Sequence, residues 1–475
     1  MIKFGTSGWR GLIADDFTFD NVRLVTQAIC KYLKTGSKKK DSGVIKIIVG
    51  YDTRFLSEKF AEICAQVLAA NGIKALICDR NTPTPVVSFE ILRRKLEGGI
   101  NFTASHNPYN YNGLKFSPSW GGPALPKTTK AIEKYCKTLK QKDIKSISLD
   151  DAKAKNLIEY IDPAPLYLKR IKELIDFNAI KNSGIKIAVD LLNGTAAGYL
   201  DKLLNDAGIS NKVVRINRDV MFGGGAPEPS KENLKDFVDI MKKESCTLGL
   251  ATDGDADRFG IVDSDGTFIN PNQVVSVLLY HLIKSRKWKG IVARSVMTTH
   301  MVDKIADKFG LEVRETPVGF KFIASIMVEA KEKFVIGGEE SGGLTIRNHI
   351  PEKDGILACL LMAEMVAMNN KSIKTTLKEI EGLVGEIYSE RINFKLTTKG
   401  IEKFRLKLKK KILKSFGEYK IKKTVTLDGY KFILQDNSWI GIRFSGTEPI
   451  VRLYIESDSS EKAKKLIQLG KEFIV

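Results

Sequence analysis

The sequence predicts an α/β protein in which three doubly wound, mixed α/β domains precede a C-terminal α+β domain with an antiparallel sheet. Through most of the chain, short β-branched runs alternate with amphipathic segments of helix length, the pattern of strand–helix–strand units. Strand-like runs dominate the C-terminal fifth instead. The length of 475 residues also exceeds what one hydrophobic core usually holds, so several domains are expected.

The α/β part begins with two predicted strands at 43–52 and 73–79, where apolar residues run almost without interruption. Between them a helix is predicted, with Ser57 as its N-cap and Gly72 at its end. Further buried strands are predicted at 184–194, 247–255, 290–295 and 333–340.

The C-terminal part predicts an antiparallel sheet with one helical segment between its first two strands. Its strand-like runs lie at 386–396, 426–434, 438–445 and 451–457. Asp428-Gly429 is a favourable hairpin turn. The polar stretches 140–156 and 368–375 are predicted to be linkers between domains.

The charge balance is strongly basic, with 76 Lys+Arg against 56 Asp+Glu and a net charge of +20. The lysines are spread along the chain, and no nucleic-acid motif accompanies them. The charge therefore favours a lysine-rich background or an anionic substrate, and we expect no nucleic-acid partner. A non-catalytic, basic RNA-binding protein is the alternative of a different class.

Cysteine and histidine usage argues against a zinc site and against a disulfide framework. The six cysteines are far apart, no C-x-x-C occurs, and only four histidines are present. The N-terminal residues contain no apolar leader, and no run of 18 apolar residues occurs. We therefore expect a cytoplasmic protein that does not contact a membrane.

The most specific motif is TDGDADRFG at 252–260, which begins in the last residues of the strand predicted at 247–255. Asp253, Asp255 and Asp257 alternate with small residues, so three carboxylates can turn toward one cation. An EF-hand would need Gly at Arg258 and Glu at Ser264. Three oxygen ligands with open positions suit Mg²⁺, which commonly shares its coordination shell with phosphate.

A second motif, GINFTASHNPYN at 99–110, places Ser105 beside His106 after an apolar run. Adjacent residues on an extended strand point to opposite faces, so we expect His106 not to reach Ser105 as its base. A phosphoryl group on Ser105 would instead give the predicted cation an oxygen to bind. Lys115 lies ten residues after Ser105 and follows the flexible Asn112-Gly113 turn, so its side chain would be able to reach back to Ser105 as an acid or base. No ATP-binding loop or kinase motif is present, so the phosphoryl group is expected to come from the substrate.

Two further loops offer groups that suit a sugar phosphate. In GGEESGG, Glu339 and Ser341 lie two residues apart between glycines, as readers of vicinal hydroxyls would. In RFSGTEP, a guanidinium precedes two hydroxyls and exposed turn amides, a combination that binds phosphate.

The motifs together resemble those of the α-D-phosphohexomutases, a group that contains phosphoglucomutase, phosphomannomutase and phosphoglucosamine mutase. They occur in order along the whole chain as FGTSGWRG, TASHNPYNYNGLKF, DGDADR, TPVGFKF, GEESGG and RFSGTEP. The resemblance implies four domains around a central cleft. The expected divisions are a phosphoserine domain, a metal-loop domain, a sugar-loop domain and a phosphate-binding domain at 1–150, 151–256, 257–370 and 371–475.

The resemblance also implies a role for each matching residue. Ser105 would be the phosphoserine and, with Asp253, Asp255 and Asp257, a ligand of Mg²⁺. The groups beside the phosphoryl group would be Arg10, His106, Lys115 and Arg258, with Lys115 as the general base. The substrate contacts would be Gly319, Lys321, Glu339, Ser341, Arg443, Ser445, Gly446, Thr447 and Arg452.

The implied reaction interconverts a hexose 1-phosphate and a hexose 6-phosphate through a sugar bisphosphate, with glucose 1,6-bisphosphate or an equivalent as activator. Gly343 stands where mannose- and glucosamine-type members often have His, and HIPEKDG follows, so glucose is preferred and mannose is possible. One alternative is a phosphoglucosamine mutase, because the SGTEP segment resembles that of glucosamine-type members. The other is a metal-dependent sugar phosphatase. Sugar phosphates are the expected small-molecule partners, and the expected assembly is a monomer or a homodimer.

Overall fold

The computed structural model describes residues 2–36, 43–410, 413–444 and 450–474 of the chain. Four sheets divide the described residues into four units that follow one another along the sequence. The first three units combine mixed sheets with helices, and the fourth has an antiparallel sheet. This is the predicted fold class.

The first unit is a mixed six-stranded sheet in the order β1-β5-β4-β2-β3-β6. Its elements are β1 (Trp9–Leu12), α1 (Phe19–Gly36), β2 (Lys46–Tyr51), α2 (Ser57–Ala70), β3 (Lys74–Cys78), α3 (Thr84–Arg94), β4 (Gly98–Phe102), β5 (Tyr111–Pro118), α4 (Pro126–Thr138), α5 (Leu149–Ala154) and β6 (Ile158–Ile161). On β2, Ile47 and Val49 join one hydrophobic cluster with α1 and α2, whereas Ile48 joins another with α3. Helices therefore cover both faces of the sheet, as in a doubly wound fold.

The second unit is a five-stranded sheet in the order β11-β10-β9-β7-β8. Its elements are α6 (Ala164–Leu174), α7 (Phe177–Asn182), β7 (Ile187–Asp190), α8 (Leu200–Asp206), β8 (Asn211–Val214), α9 (Lys235–Lys243), β9 (Leu248–Thr252), β10 (Phe259–Asp263) and β11 (Phe268–Ile269). Strand β9 runs parallel to β7 and antiparallel to β10, so the acidic motif is the loop of a β-hairpin.

The third unit is a four-stranded sheet in the order β13-β12-β14-β15. Its elements are α10 (Pro271–Arg286), β12 (Ile291–Ser295), α11 (Met301–Lys308), β13 (Glu312–Thr316), α12 (Phe320–Ala330), β14 (Phe334–Glu339), β15 (Gly343–Ile346), α13 (Gly355–Asn369) and α14 (Ile373–Val384). Helix α13 is apolar on all sides and packs against β9 and β10 as well as β15. It thereby joins the second and third units into one hydrophobic core.

The fourth unit is an antiparallel sheet in the order β16-β21-β20-β19-β18-β17. Its elements are β16 (Tyr388–Lys395), α15 (Thr398–Lys410), β17 (Ser415–Phe416), β18 (Tyr419–Val425), β19 (Tyr430–Leu434), β20 (Trp439–Phe444), β21 (Ile450–Ser457) and α16 (Ser460–Ile474). The turn that contains Asp428 and Gly429 joins β18 and β19, as predicted. Strands β17 and β18 were not predicted, because their polar residues hide the alternation.

The sheets place the divisions between units differently from the expected ones. Strand β6 pairs with β3, so the first sheet extends to Ile161. Strands β10 and β11 extend the second sheet to Ile269, which means that a division at 256/257 would cut the acidic hairpin. Helix α14 buries Ile373, Leu377 and Ile380 in the core shared by the second and third units, so residues 371–384 pack with the third unit.

The structure corrects two local predictions. The N-cap of α2 is Leu56, and the hydroxyl of Ser57 donates to Asp52 Oδ1 at 2.8 Å instead of capping the helix. The predicted linker 140–156 contains α5, whose true cap is Ser148, because its hydroxyl accepts from the amide of Asp151.

Buried thiols and apolar helices fit a packed interior. All six cysteines are buried and free. Within the described residues, no single helix has the length and apolar composition needed to cross a membrane. Helices α13 and α14 meet that criterion only as a pair bent by 79°.

Candidate active site

Ser105 lies in the turn after β4 and is 1% exposed. Its backbone adopts a left-handed conformation with φ of 52°. Its hydroxyl donates a hydrogen bond to Asp253 Oδ2 at 2.7 Å, although Asp253 belongs to the second unit. The predicted strand-end loops of the first two units therefore meet at this hydroxyl.

His106 lies closer to Ser105 than the sequence indicated. The expectation that the two side chains point apart is wrong, because Ser105 occupies a left-handed turn rather than an extended strand. The Nδ1 atom of His106 lies 3.3 Å from Ser105 Oγ. Burial, together with the nearby Arg258 and Arg10, holds the pKa of His106 well below its usual value. His106 is therefore a neutral imidazole beside the hydroxyl.

Asp253, Asp255 and Asp257 lie in the loop between β9 and β10 and have no exposure. One carboxylate oxygen from each residue lies within 4.8 Å of the others. Burial and the two neighbouring carboxylates raise the pKa of Asp253 well above its usual value. The loop thus concentrates negative charge in a dry place, which calls for a compensating cation.

Two lysines supply part of that compensation. Lys115 Nζ lies 2.5 Å from Asp255 Oδ2 and 2.7 Å from Asp257 Oδ2. Lys353 Nζ lies 2.8 Å from Asp257 Oδ2. Burial disfavours charge at Lys115, but Asp255 and Asp257 outweigh burial and raise the pKa of Lys115. Lys115 is therefore charged in this arrangement.

The remaining carboxylate oxygens fit a divalent cation. Asp255 Oδ1 and Asp257 Oδ1 are buried and have no hydrogen-bond partner among the described residues. An unpaired buried carboxylate oxygen is costly unless an ion or a donor reaches it. Oxygen-only donors from clustered carboxylates suit Mg²⁺ better than a soft transition metal.

The first unit holds the acidic loop through Thr84 as well. Its hydroxyl donates to Asp255 Oδ2 at 2.5 Å, and its amide donates to Asp255 O at 3.0 Å. Thr84 begins α3, so the start of a first-unit helix is bonded to the second unit. The cluster is consequently built at a junction between units.

Arg10 and Arg258 place two guanidinium groups near Ser105. Arg10 lies on β1 and donates to Asn107 Oδ1 at 2.6 Å. The amide of Arg258 donates to Asp253 Oδ1 at 3.0 Å, and its Nη1 lies 3.4 Å from Glu228 Oε1. Arg258 Nε is buried, and no described residue forms a hydrogen bond with it. Burial and the neighbouring Arg258 lower the pKa of Arg10, which reflects the closeness of two like charges. Two guanidinium groups near one hydroxyl are a combination that suits an anion.

The predicted sugar loops of the third unit are also brought together. Glu339 ends β14, and its Oε1 accepts from the amide of Gly319 at 2.7 Å. Its Oε2 lies 3.4 Å from the hydroxyl of Ser341. Gly319 has φ of 128°, a conformation that side chains rarely adopt, and precedes α12. Burial and Glu340 raise the pKa of Glu339 to about 7.

Lys321 lies in the first turn of the same helix and is 9% exposed. Burial lowers the pKa of Lys321 below its usual value. Its Nζ lies 5.6 Å from the centre of the Phe322 ring. A half-desolvated ammonium group is well suited to an anionic ligand.

The fourth unit contributes two cross-strand arginines. Arg443 on β20 pairs directly with Arg452 on β21. Arg443 Nε donates to Asp428 Oδ2 at 2.9 Å, and the same oxygen accepts from the amide of Val318 at 3.2 Å. Arg452 Nε is buried and has no hydrogen-bond partner within the part of the chain that the structure describes. The predicted residues Ser445, Gly446 and Thr447 lie outside the described residues.

Several residues of this site were not predicted from the sequence to be functional, although Asp428 was predicted to lie in a hairpin turn. They are Asp52, Arg54, Thr84, Lys353 and Asp428. Asp52 ends the predicted strand 43–52, Arg54 follows it, and Thr84 follows the predicted strand 73–79. These positions are at the sheet edge where Ser105 lies, so position could have indicated them. Nothing in the sequence indicates that Lys353 reaches Asp257.

Comparisons with known proteins agree with the order of the units. Family models described as phosphoglucomutase/phosphomannomutase alpha/beta/alpha domains I, II and III match residues 1–143, 165–266 and 270–382, and the C-terminal-domain model matches 392–468. A phosphoglucomutase/phosphomannomutase from Thermococcus kodakarensis is 29% identical and is matched over 98% of this chain and 97% of its own. Phosphoglucomutase 1 from Drosophila melanogaster is 32% identical, over 87% of this chain and 84% of its own.

Two other matches extend the comparison. A probable phosphoglucosamine mutase from Methanosphaera stadtmanae is 29% identical over 99% of this chain and 98% of its own. The crystal structure of a putative phosphomannomutase from Thermus thermophilus superposes with a TM-score of 0.83 at 32% identity. That superposition covers 100% of this chain and 99% of the other.

Proposed function

Because the chain belongs to the phosphoglucomutase/phosphomannomutase family, whose members are isomerases, we propose that it interconverts hexose 1-phosphate and hexose 6-phosphate. A phosphoserine at Ser105 would carry the phosphoryl group, and a bisphosphorylated sugar would be the intermediate. The observation that carries this proposal is the 2.7 Å hydrogen bond between Ser105 Oγ and the buried acidic cluster. The Ser105 oxygen that would carry the phosphoryl group therefore lies beside three carboxylates. Because a phosphoryl group is also negatively charged, a cation would be required there to balance the charge.

The acidic cluster supports a metal-assisted transfer. Asp253, Asp255 and Asp257, with an oxygen on Ser105, would hold Mg²⁺, which supplies neutralisation of the phosphoryl charge when bound. Arg258, whose Nε has no partner among the described residues, would bind a phosphoryl oxygen. Arg10 would do the same from β1. These positive groups lower the repulsion between the phosphoryl group and an incoming hydroxyl.

Each half-reaction moves one phosphoryl group. The bond between phosphorus and Ser105 Oγ breaks as a bond to the sugar hydroxyl oxygen forms, and the hydroxyl proton leaves. Lys115 is the proposed general base, but only its neutral form can take this proton, so it must first lose the proton that Asp255 and Asp257 stabilise. His106, which is neutral and lies 3.3 Å from Ser105 Oγ, is the second candidate. In the return half-reaction, the other phosphate of the bisphosphate passes to Ser105, so the sugar turns over between the two steps.

The third and fourth units would hold the sugar in both orientations. Glu339 and Ser341 would accept and donate hydrogen bonds at two neighbouring hydroxyls, and Gly319 and Lys321 would border the sugar phosphate. Arg443, Ser445, Gly446, Thr447 and Arg452 would clamp the phosphate that does not react. A pair of hydroxyls at C3 and C4 looks alike from either orientation, which allows one reader to serve both.

We propose glucose as the preferred sugar, with mannose as a second substrate. Gly343 replaces the His that mannose- and glucosamine-type members often carry, and a reader of C3 and C4 cannot distinguish C2 epimers. A phosphoglucosamine mutase is the second candidate, because a relative of that name matches nearly the whole chain. Glucose 1,6-bisphosphate would activate the enzyme by phosphorylating Ser105. We further propose that it works in the cytoplasm as a monomer or homodimer.

A sugar phosphatase would use the same residues but would transfer the phosphoryl group to water. Ser105 is 1% exposed, which favours transfer to a bound hydroxyl over transfer to bulk solvent. The family membership favours an enzyme over a non-catalytic RNA-binding protein. The RNA-binding alternative is supported by the net charge of +20 alone.

The test is a coupled mutase assay with glucose, mannose and glucosamine 1-phosphates, each with Mg²⁺ and the matching bisphosphate. We expect hexose 6-phosphate to form fastest from glucose 1-phosphate, with little release of free phosphate. Ser105→Ala should lose activity, whereas Ser146→Ala, at an exposed loop serine, should retain it. Full mutase activity in Ser105→Ala, or phosphate release without 6-phosphate, would overturn the proposal.

A further inference from the structure

Arg54 lies behind the Ser105 turn, and its side chain has no exposure. A guanidinium group has five N–H donors, and each of those in Arg54 has an acceptor. Nε donates to Asp52 Oδ2 at 3.1 Å. The other four donors reach backbone carbonyl oxygens of one turn: Pro108 at 2.7 Å, Tyr111 at 3.0 Å, Ser105 at 2.6 Å and Asn107 at 2.6 Å.

This arrangement fixes the backbone from which the reactive hydroxyl projects. Ser105 has φ of 52°, a left-handed conformation that is unfavourable for an L-residue. The bond from Arg54 Nη2 to Ser105 O offsets that cost and holds the peptide plane. The direction of Oγ toward Asp253 depends on the same backbone. Arg54 also fixes Asn107, whose side chain accepts from Arg10.

The second unit holds Arg54 from the other side. The Phe222 ring centre lies 4.9 Å from the guanidinium carbon of Arg54. Arg218 donates to Thr53 O at 3.0 Å and to Arg54 O at 3.2 Å. The unit that carries the acidic cluster therefore also restrains the residue that shapes the Ser105 turn.

We propose that Arg54 is a positioning residue for phosphoryl transfer to and from Ser105. Arg54 bonds the backbone carbonyl of Ser105 rather than its hydroxyl. It therefore acts on the direction in which Oγ points and on the range of positions that Oγ occupies. This inference rests on the proposed function. Lysine cannot replace it, because an ammonium group has three donors and no planar fork to span five acceptors.

The experiment measures the rate constant for phosphorylation of Ser105 by glucose 1,6-bisphosphate in a single turnover, followed by intact mass. Arg54→Lys is compared with wild type and with Arg286→Lys. Arg286 is a half-buried arginine that bonds Leu174 O and Glu364 away from this turn. Each protein is studied well below its own unfolding temperature. Misplacement by about 1 Å can cost about 100-fold in rate.

We expect the rate constant of Arg54→Lys to fall about 100-fold, with KM for the sugar phosphate changed less than about 3-fold and Arg286→Lys unchanged. A merely structural role would reduce the fraction of molecules that react, yet leave the rate constant of the folded fraction as in wild type. That result would overturn the inference.

A milder variant keeps the test decisive if Arg54→Lys does not fold. Phe222→Leu removes the aromatic face beside the guanidinium but leaves all five hydrogen bonds available. The inference predicts that its rate constant falls several-fold, and an unchanged constant would contradict it. Absence of any phosphoryl group on wild-type Ser105 would instead overturn the proposed function, so the two failures differ.

Discussion

The hydroxyl of Ser105 and the carboxylate of Asp253 lie 2.7 Å apart, although 148 residues and a boundary between sheets separate them. The hairpin loop between β9 and β10 reaches this hydroxyl from the second unit, and Thr84 and Lys115 bind the same loop from the first unit. Any motion between the two units would therefore separate a nucleophile from its electrostatic partner.

Removal of the divalent cation should abolish mutase activity and lower thermal stability. Mg²⁺ bound to the folded state at 100 times its Kd should stabilise it by about 2.7 kcal/mol. Asp255→Asn should lose both the activity and this stabilisation, because Asp255 Oδ1 is one of the two carboxylate oxygens of the cluster that no described residue bonds. Thermal unfolding with and without Mg²⁺ measures the effect, with Asp239→Asn on the exposed face of α9 as the control. Equal stabilisation of Asp255→Asn and wild type would refute the site.

Glu339→Gln should stabilise the protein while it lowers activity. The pKa of Glu339 is raised from 4.5 to about 7 by burial and Glu340, so the protonated form is favoured on folding. The stabilisation of the wild type is present below pH 4.5 and is lost as the pH rises through 7. At pH 8, Glu339→Gln should therefore be more stable than wild type by about 3 kcal/mol. Chemical unfolding at pH 4.5 and pH 8 measures this.

The same variant should lower kcat/KM by about 100-fold, since a neutral amide weakens charge-assisted hydrogen bonds to sugar hydroxyls by about 2–3 kcal/mol. Glu329→Gln, at an exposed position on α12, is the matched control and should change neither quantity. A Glu339→Gln variant with wild-type kcat/KM would show that this carboxylate does not read the sugar.

Asp428→Asn should raise KM for the sugar phosphate several-fold with a smaller effect on kcat. Asp428 holds Arg443 and also accepts from the amide of Val318, so it connects the fourth unit to the sugar loop. An amide cannot orient the guanidinium by charge. Steady-state kinetics compare it with Asp436→Asn, a turn carboxylate that accepts from the amide of Ser438. An unchanged KM in Asp428→Asn would separate Arg443 from substrate binding.

Stability should fall in mild acid because of His300. Burial and Lys431, whose Nζ lies 2.7 Å from its Nε2, lower the pKa of His300 from 6.5 to about 2. The unfolded chain therefore takes up a proton below pH 6.5 that the folded protein does not, and stability falls as the pH drops. Between pH 7.5 and 4.5, wild type should lose about 2–3 kcal/mol relative to His300→Gln. Parallel pH dependences of the two proteins would contradict this.

The sequence predicted the local elements that carry the site better than it predicted their contacts. Strand periodicity located β2, β3, β9 and β14, and the loop after β9 was identified from the spacing of its carboxylates. The predicted orientation of the His106 side chain was wrong, because a strand pattern does not reveal that Ser105 adopts a left-handed conformation in a turn. The closure of the second sheet by β10 and β11 was missed, since nothing in the composition marks where a sheet ends.

The contacts of Arg54 are the clearest example of contacts that the sequence does not predict. Its acceptors are backbone carbonyls, which are chemically the same at every position and carry no sequence signal. Only the fold brings four of them to one guanidinium. The pairing of Lys353 with Asp257 is another long-range contact of this kind. Such contacts depend on how units pack together, and that is decided by the whole core.

Mass spectrometry most directly tests whether Ser105 carries the phosphoryl group during the reaction. Purified protein is incubated with glucose 1,6-bisphosphate and Mg²⁺, digested, and its phosphopeptides mapped, and the phosphorylated protein is then mixed with glucose 1-phosphate. We predict one phosphoryl group on Ser105 that passes to the sugar as bisphosphate. A protein that isomerises the sugar while Ser105 stays unmodified throughout would contradict the account.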